Sequence, residues 1–272
     1  MGDFERAMKL SGTGGEYDAD IDPNWCVWSP AGGYLMALAL RAAGLEAAFG
    51  APLSFTCHFL AAPKLAEARL SVRSLRKTRV AESLGISMTQ GDRPILECLV
   101  WAGDPIDGYR HSDDSMPDVP GHGQFASSPS GPGKPGFQTL WQHLEHRPTG
   151  PLHWQRDAPG TPRQRDWIRL RDFDASGDAF ADAGRHALIL DSYTWPAAAH
   201  AHAGDPRFVA PTISLSVEFH QRSDTDWLLS DSYAPIAENG RIGIHNRLWS
   251  PDGQLLSSAH GTLICRPRPS AP

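Results

Sequence analysis

The chain has 272 residues, more than a typical single domain, which suits one large domain or two modules of about 100 to 150 residues each. Its 40% hydrophobic and 21% charged content excludes a disordered chain, and a net charge of −6 argues against nucleic acid or another polyanion as partner, since such partners call for a basic surface. The 26 glycines and 23 prolines promise many turns.

The opening Met-Gly-Asp-Phe-Glu-Arg lacks the basic start and apolar run of a secretory signal, so a cytoplasmic location is expected. The apolar stretch Trp25 to Leu40 is broken by Pro30 and two glycines and falls short of the roughly 20 residues that span a bilayer, so no membrane contact is expected. Residues 8 to 28 read as a lead-in to a helix over 31–49, which Gly32 and Gly33 open and which has charges only at Arg41 and Glu46. A helix apolar on nearly all sides must be buried within its domain. Strands are predicted at 52–60, 68–75, 80–90 and 94–102, with alternation in Val80, Leu84, Ile86 and Met88 and a turn at Gly91-Asp-Arg-Pro94.

Residues 105–135, rich in Gly, Pro, Ser and Asp and free of apolar periodicity, read as a linker between an N-terminal module, 1–104, and a C-terminal module, 136–272. The second module begins with strand-like segments at 137–144 and 166–171. A helix near 187–202 follows, then strands near 212–220, 226–233 and 240–249, a Pro251-Asp-Gly253 turn, and a last strand to about Cys265. Cys26, Cys57, Cys98 and Cys265 lie in apolar runs without a Cys-x-x-Cys, so reduced thiols are expected rather than a zinc ribbon or a disulfide framework.

The two modules echo one another at a spacing of 160 residues. Ala31 to Gly44 lies over Asp191 to Gly204, Ser54 to Leu60 over Ser214 to His220, and Gly91 to Leu96 over Pro251 to Leu256. Three blocks of different character at one offset imply a fold used twice.

A central apolar helix opening with Gly-Gly, an antiparallel meander, and the segments Ala31-Gly-Gly-Tyr-Leu-Met-Ala-Leu-Ala-Leu40, Phe55-Thr-Cys-His-Phe-Leu60, Asp191-Ser-Tyr-Thr-Trp-Pro196, Thr212-Ile-Ser-Leu-Ser-Val-Glu-Phe-His220 and Trp227-Leu-Leu229 resemble the acyl-CoA thioesterase II and thioesterase-like proteins. The resemblance implies an α+β class, a tandem (double) hotdog with two antiparallel sheets each wrapping a central helix. It also implies hydrolysis of acyl-CoA or related acyl thioesters by an activated water, without cofactor or metal, in a monomer or homo-oligomer. In that family an Asp, a Thr or Ser and a Gln of the second half hold the water. By motif position the Asp falls on Asp191, the hydroxyl on Thr212 and the Gln on Gly261, with His260 beside it. Neighbouring strand residues face opposite ways, so His260 replaces the Gln only if a bulge shifts the register.

At the same offset the first half has Ala31 and Pro52 in place of Asp191 and Thr212, so one reactive site is expected, with Gly32 and Gly33 letting a thioester carbonyl reach the unpaired N–H groups of the first helix. Structural readings stand beside each of these. Asp191 suits a helix N-terminus, Thr212 suits any strand, and the two glycines suit close packing. His200-x-His202 lacks the carboxylate of a helical metal motif. Arg73, Arg76, Lys77 and Arg79 fit a solvated hairpin as well as coenzyme A phosphates. The missing Gln keeps a noncatalytic acyl-thioester binding protein as the alternative. A hotdog dehydratase ranks lower because no Asp-x-Asn-Pro-x-His segment is present.

Overall fold

The structure is a computed structural model that describes residues 2–128, 136–152, 155, 157–174, 177–202, 207–222 and 224–267. In the first half a short helix α1 (Asp3–Ala7) and strands β1 (Ser11–Thr13) and β2 (Glu16–Asp20) precede the apolar helix α2 (Gly32–Glu46). Four strands follow, β3 (Ala51–Phe59), β4 (Glu67–Lys77), β5 (Ala81–Gln90) and β6 (Arg93–Gly103). The second half runs β7 (Leu144–Pro148), β8 (Arg163–Leu170), α3 (Ala179–Ser192), α4 (Thr194–His200), β9 (Phe208–Val209), β10 (Thr212–Phe219), β11 (Trp227–Glu238), β12 (Arg241–Trp249), β13 (Leu255–Ile264) and β14 (Arg266–Pro267).

Where two sheets were expected, the two halves join edge to edge. Among the described residues one antiparallel sheet of twelve strands runs β1-β2-β4-β5-β6-β3-β10-β13-β12-β11-β8-β7, and only β9 and β14 pair apart from it. The joint is β3 against β10, with Cys57 opposite Leu215 and Thr56 opposite Ser216. From that joint the strand order reads the same in both directions. Pairing the central edges satisfies two rows of backbone N–H and C=O groups that separate sheets would leave open.

Helices α2 and α3 lie on one face of this sheet, antiparallel to each other. A Cβ on Gly33 would come within 2.6 Å of Leu188 Cα, and one on Gly184 within 3.1 Å of Ala37 Cβ, so the small residues of α2 serve its contact with α3. Leu35, Met36, Leu38 and Leu40 are buried in a core that runs through both halves.

The helix of the second half begins earlier than expected. Asp178 caps it by accepting a hydrogen bond from Phe180 N–H at 2.8 Å, and the helix stops at Ser192 before the separate turn of α4. Asp182, Arg185 and His186 disguise it as a surface helix, yet all three are buried, Arg185 Nη2 lying 2.7 Å from Asp182 and His186 Nδ1 2.7 Å from Ser257 Oγ. Helix α3 therefore starts 147 positions after α2, at 179 against 32, while the strands keep the spacing of 160. The proposed overlay of 31–44 on 191–204 fails for that reason: α4 and the loop after it make up the difference. Ala203 and Gly204 of that overlay lie outside the described residues.

Segment 137–144, expected as a strand, is a short 3-10 turn over Leu140–Gln142 followed by β7. Residues 104–128 cross the sheet face opposite the helices. Met116, Val119 and Phe125 pack on Trp167, Trp227, Leu229 and Trp249, and Trp167 Nε1 donates to Pro120 O at 2.9 Å. Residues 129–135, where the expected linker ends, lie outside the described residues.

Candidate active site

Four of the predicted residues meet at one point. Asp191 occupies the last turn of α3, where the helix dipole disfavours a carboxylate, so the N-terminus reading of Asp191 is wrong by a whole helix. It is stabilised instead by the start of α2, because Gly33 N–H donates to Asp191 Oδ2 at 2.8 Å. On the other side Thr212 Oγ1 donates to Asp191 Oδ1 at 2.8 Å. Thr212 begins β10 at a register shift against β13, between Thr212 and Ser214, a bulge of the kind that re-aims a side chain at a strand end. Thr194 Oγ1 donates to the Asp191 carbonyl at 3.0 Å.

The two glycines do different things. Gly32 makes room for the carboxylate: a Cβ there would lie 2.8 Å from Asp191 Oδ2 and 3.1 Å from the Phe59 ring. Gly33 lets the α3 backbone approach, and its N–H is bonded to Asp191 rather than open to a substrate. Gly32 N–H, the first of the helix, has no partner among the described residues.

Gly261 sits on β13 opposite Leu215 of β10 and Ile244 of β12. A Cβ on it would collide with the Ser214 carbonyl oxygen and lie 2.9 Å from Leu215 Cδ1, so β10 leaves no space for a side chain at the position where the resemblance puts a Gln. His260 does not stand in for it. The residue is exposed on the outer face, in register with Ser216 and His245, and borders a shallow pocket of about 240 Å³ with His58. β13 is irregular near Leu255–Ser257, but its register is unbroken from Ser257 to Thr262, so nothing turns His260 inward.

In the first half, the structural counterpart of Asp191 is Gly44 rather than Ala31. Gly44 lies against Phe180 near the start of α3, as Asp191 lies against Gly33 near the start of α2. With Gly44 and Pro52 in the positions of Asp191 and Thr212, the first half has neither that carboxylate nor that hydroxyl.

Protein packs closely around the Asp191 carboxylate although part of the residue still meets solvent. This desolvation raises its pKa above the ordinary range, and the hydrogen bonds from Thr212 and Gly33 pull it back. A carboxylate so held is a better proton acceptor than a free one. Thr212 spends its hydroxyl proton on Asp191 and keeps its lone pairs to accept from a water.

Among the described residues no three His, Cys, Asp or Glu side chains are placed to hold a metal ion, and no helix is long and apolar enough to cross a membrane. Arg73, Arg76 and Lys77 are exposed on β4, and Arg79 is exposed in the turn after it. Tyr193 and Asn246 were missed from sequence. Both are buried, Tyr193 with its ring against Trp141 and His146, and Asn246 with Nδ2 donating to Leu190 O at 2.8 Å. The available signal was a polar residue at 246 where position 86, at the shared offset, carries Ile.

Comparison with known proteins agrees with this architecture. The chain superposes on a protein with a hot dog fold from Alicyclobacillus acidocaldarius with a TM-score of 0.84 at 20% identity, over 97% of this chain and 98% of that one. It also matches the acyl-CoA thioesterase II TesB2 from Mycobacterium marinum, with a TM-score of 0.79 at 18% identity over 98% and 100% of the two chains. The tesB protein of Mycobacterium avium subspecies paratuberculosis gives 0.79 at 19%, over 97% and 98%. At these identities the likeness establishes the hotdog fold alone. No curated protein sequence matches the chain. Residues 21–103 match the acyl-CoA thioesterase N-terminal domain and residues 114–264 the acyl-CoA thioesterase C-terminal domain. The C-terminal match alone spans more than half of the sequence, and the chain belongs to the acyl-CoA thioesterase family.

Proposed function

We propose that this protein hydrolyses acyl-CoA thioesters, with Asp191 as general base, Thr212 as the second holder of the water and Gly32 N–H as the oxyanion donor. The observation that carries the reading is the convergence of Asp191, Thr212 and the start of α2, from three separate elements, within two hydrogen bonds of 2.8 Å. A water donating one proton to Asp191 and the other to Thr212 Oγ1 presents its lone pair to the thioester carbon. As the C–O bond forms, Asp191 takes a proton, and the negative charge on the carbonyl oxygen meets Gly32 N–H at the positive end of α2. Collapse breaks the C–S bond, and the proton on Asp191 passes to the departing thiolate, giving a carboxylic acid and coenzyme A.

This reading uses no cofactor or metal and one of the two pseudo-equivalent ends of the helix pair. It divides the chain at 104 and 136 and places a monomer or homo-oligomer in the cytoplasm, where the four free cysteines stay reduced. The closed strands at Gly261 favour a second reading, a binding protein that holds acyl thioesters without cleaving them.

Thiol release from short, medium, long and aromatic acyl-CoA esters separates the two. Removing the base in Asp191→Asn lowers the rate by about 10² to 10⁴ if the protein is the enzyme described. Ligand binding by folded protein with no release from any ester leaves the binding reading.

A further inference from the structure

The half that carries Asp191 is polar inside where the other half is apolar. On the helix-facing side of the sheet, Val72 of β4 stands opposite Ile86 of β5, and 160 positions on Ser232 of β11 stands opposite Asn246 of β12. Leu70 likewise corresponds to Ser230. Ser230, Ser232 and Asn246 are each at most 1% exposed. The same backbone positions thus accept Leu, Val and Ile as packing, and polar side chains there cost folding energy that nothing in the packing requires.

This polar row leads from the base to a pocket. Asn246 is anchored to the carbonyl of Leu190, the neighbour of Asp191. Across the sheet Ser232 stands opposite Gln164 of β8, and Ser230 opposite Asp166. Gln164 and Asp166, both buried, line an open pocket of about 260 Å³ together with Leu152, Thr161, Arg163, Arg165 and His200. Asn246 Oδ1, Gln164 Oε1 and the Tyr193 hydroxyl have no hydrogen-bond partner among the described residues. Buried polar atoms of this kind call for a partner such as a water or a polar group of a ligand.

We infer that the acyl portion of the thioester carries an uncharged hydrogen-bonding group, a hydroxyl or an amide, which the row formed by Asn246, Ser232 and Gln164 receives. The inference rests on the thioesterase reading and names its substrate class. A plain alkyl chain would strip hydration from these groups and return nothing. A carboxylated chain would meet Asp166 in the same lining, while Arg163 and Arg165, which also line it, are both paired with Asp231.

The test compares hexanoyl-CoA with 3-hydroxyhexanoyl-CoA and 6-hydroxyhexanoyl-CoA. For the wild type, kcat/KM for at least one hydroxy ester exceeds that for the plain ester by about tenfold or more, because a site built to hydrogen-bond a group rejects the analogue lacking it. Installing the first-half residues with Ser232→Val and Asn246→Ile together brings the ratio to one or below, a ratio in which any common loss from the freed Leu190 carbonyl cancels. Ser232→Ala, which any fold tolerates better, lowers the ratio in the same direction. Equal or faster cleavage of the plain ester by the wild type overturns the inference and leaves the thioesterase reading intact. If no ester is cleaved, the thioesterase reading fails, and calorimetric binding of the same three esters decides the polar row: tighter binding of a hydroxy ester supports it, and equal affinities overturn it.

Discussion

Replacing Gly33 by Ala adds one carbon at the tightest point between α2 and α3. That carbon would lie 2.6 Å from Leu188 Cα, 2.9 Å from Leu188 O and 3.0 Å from Ala187 O, all backbone atoms that cannot swing aside. Ordinary contact begins near 3.4 Å, so the helices must part by roughly 0.8 Å. The bond from Gly33 N–H to Asp191 then stretches from 2.8 Å to about 3.6 Å and is lost. Overpacking costs about 1 to 3 kcal/mol, and a lost hydrogen bond to a charged group about 1.5 to 3 kcal/mol. Ala in place of Gly in a helix returns about 1 kcal/mol. The net expectation is a loss of about 1.5 to 5 kcal/mol in urea denaturation, together with a fall in thiol release of about a hundredfold from the displaced base. Gly32→Ala is the contrast, since its Cβ would meet only the side chains of Asp191 and Phe59. That variant loses rate, because the carboxylate is what must move, and loses less stability than Gly33→Ala because no backbone contact is overpacked. A Gly33→Ala protein as stable and as active as the wild type would refute the close α2–α3 packing and the role given to its N–H.

Three further outcomes follow from the structure. In Thr212→Val the carboxylate loses a hydrogen bond that lowers its pKa, so the acid limb of kcat/KM moves to higher pH; a limb that stays in place separates Thr212 from the base. Burial pushes His186 down to about 4 from the ordinary 6.5, opposed by Asp182 and aided by Arg185. The unfolded chain therefore gains the proton first, and stability present above pH 6.5 is lost as pH falls toward 4. Between pH 7.5 and 4.5 the wild type should lose about 2 to 3 kcal/mol more than His186→Gln in paired denaturation curves, and parallel losses would contradict the assignment. Trp167→Ala removes a side chain only 1% exposed that anchors 104–128 through Pro120, at a cost of about 3 to 5 kcal/mol. Proteolysis within 104–128 should quicken in that variant, and unchanged cleavage would show the segment to be held elsewhere.

The strands of both halves could be read because period-two alternation and turn residues are local properties of the chain. The predicted spans 52–60 and 240–249 differ from β3 and β12 by a residue or so. Helix α3 could not be read in the same way. Its Asp182, Arg185 and His186 break the apolar pattern, and only their mutual pairing inside the fold makes their burial tolerable. The apparent overlay of 191–204 on the first helix followed from that misreading, since a fixed offset has no means of showing a 13-residue insertion between helix and strand.

By itself the sequence determined the order of elements, the buried nature of α2 and the identity of Asp191, Thr212, Gly32 and Gly33 as residues worth placing. These are set by patterning and by the chemistry of each residue type. Only the tertiary structure decided that Asp191 ends a helix instead of starting one, that Gly33 serves the carboxylate and not the substrate, that Gly261 leaves no space for a side chain, and that His260 faces outward. It also joined two expected sheets into one and turned Asn246 and Ser232 toward the helices. Each of these depends on contacts between residues tens to more than a hundred positions apart, and the distance between such residues is fixed by packing, which no local pattern encodes.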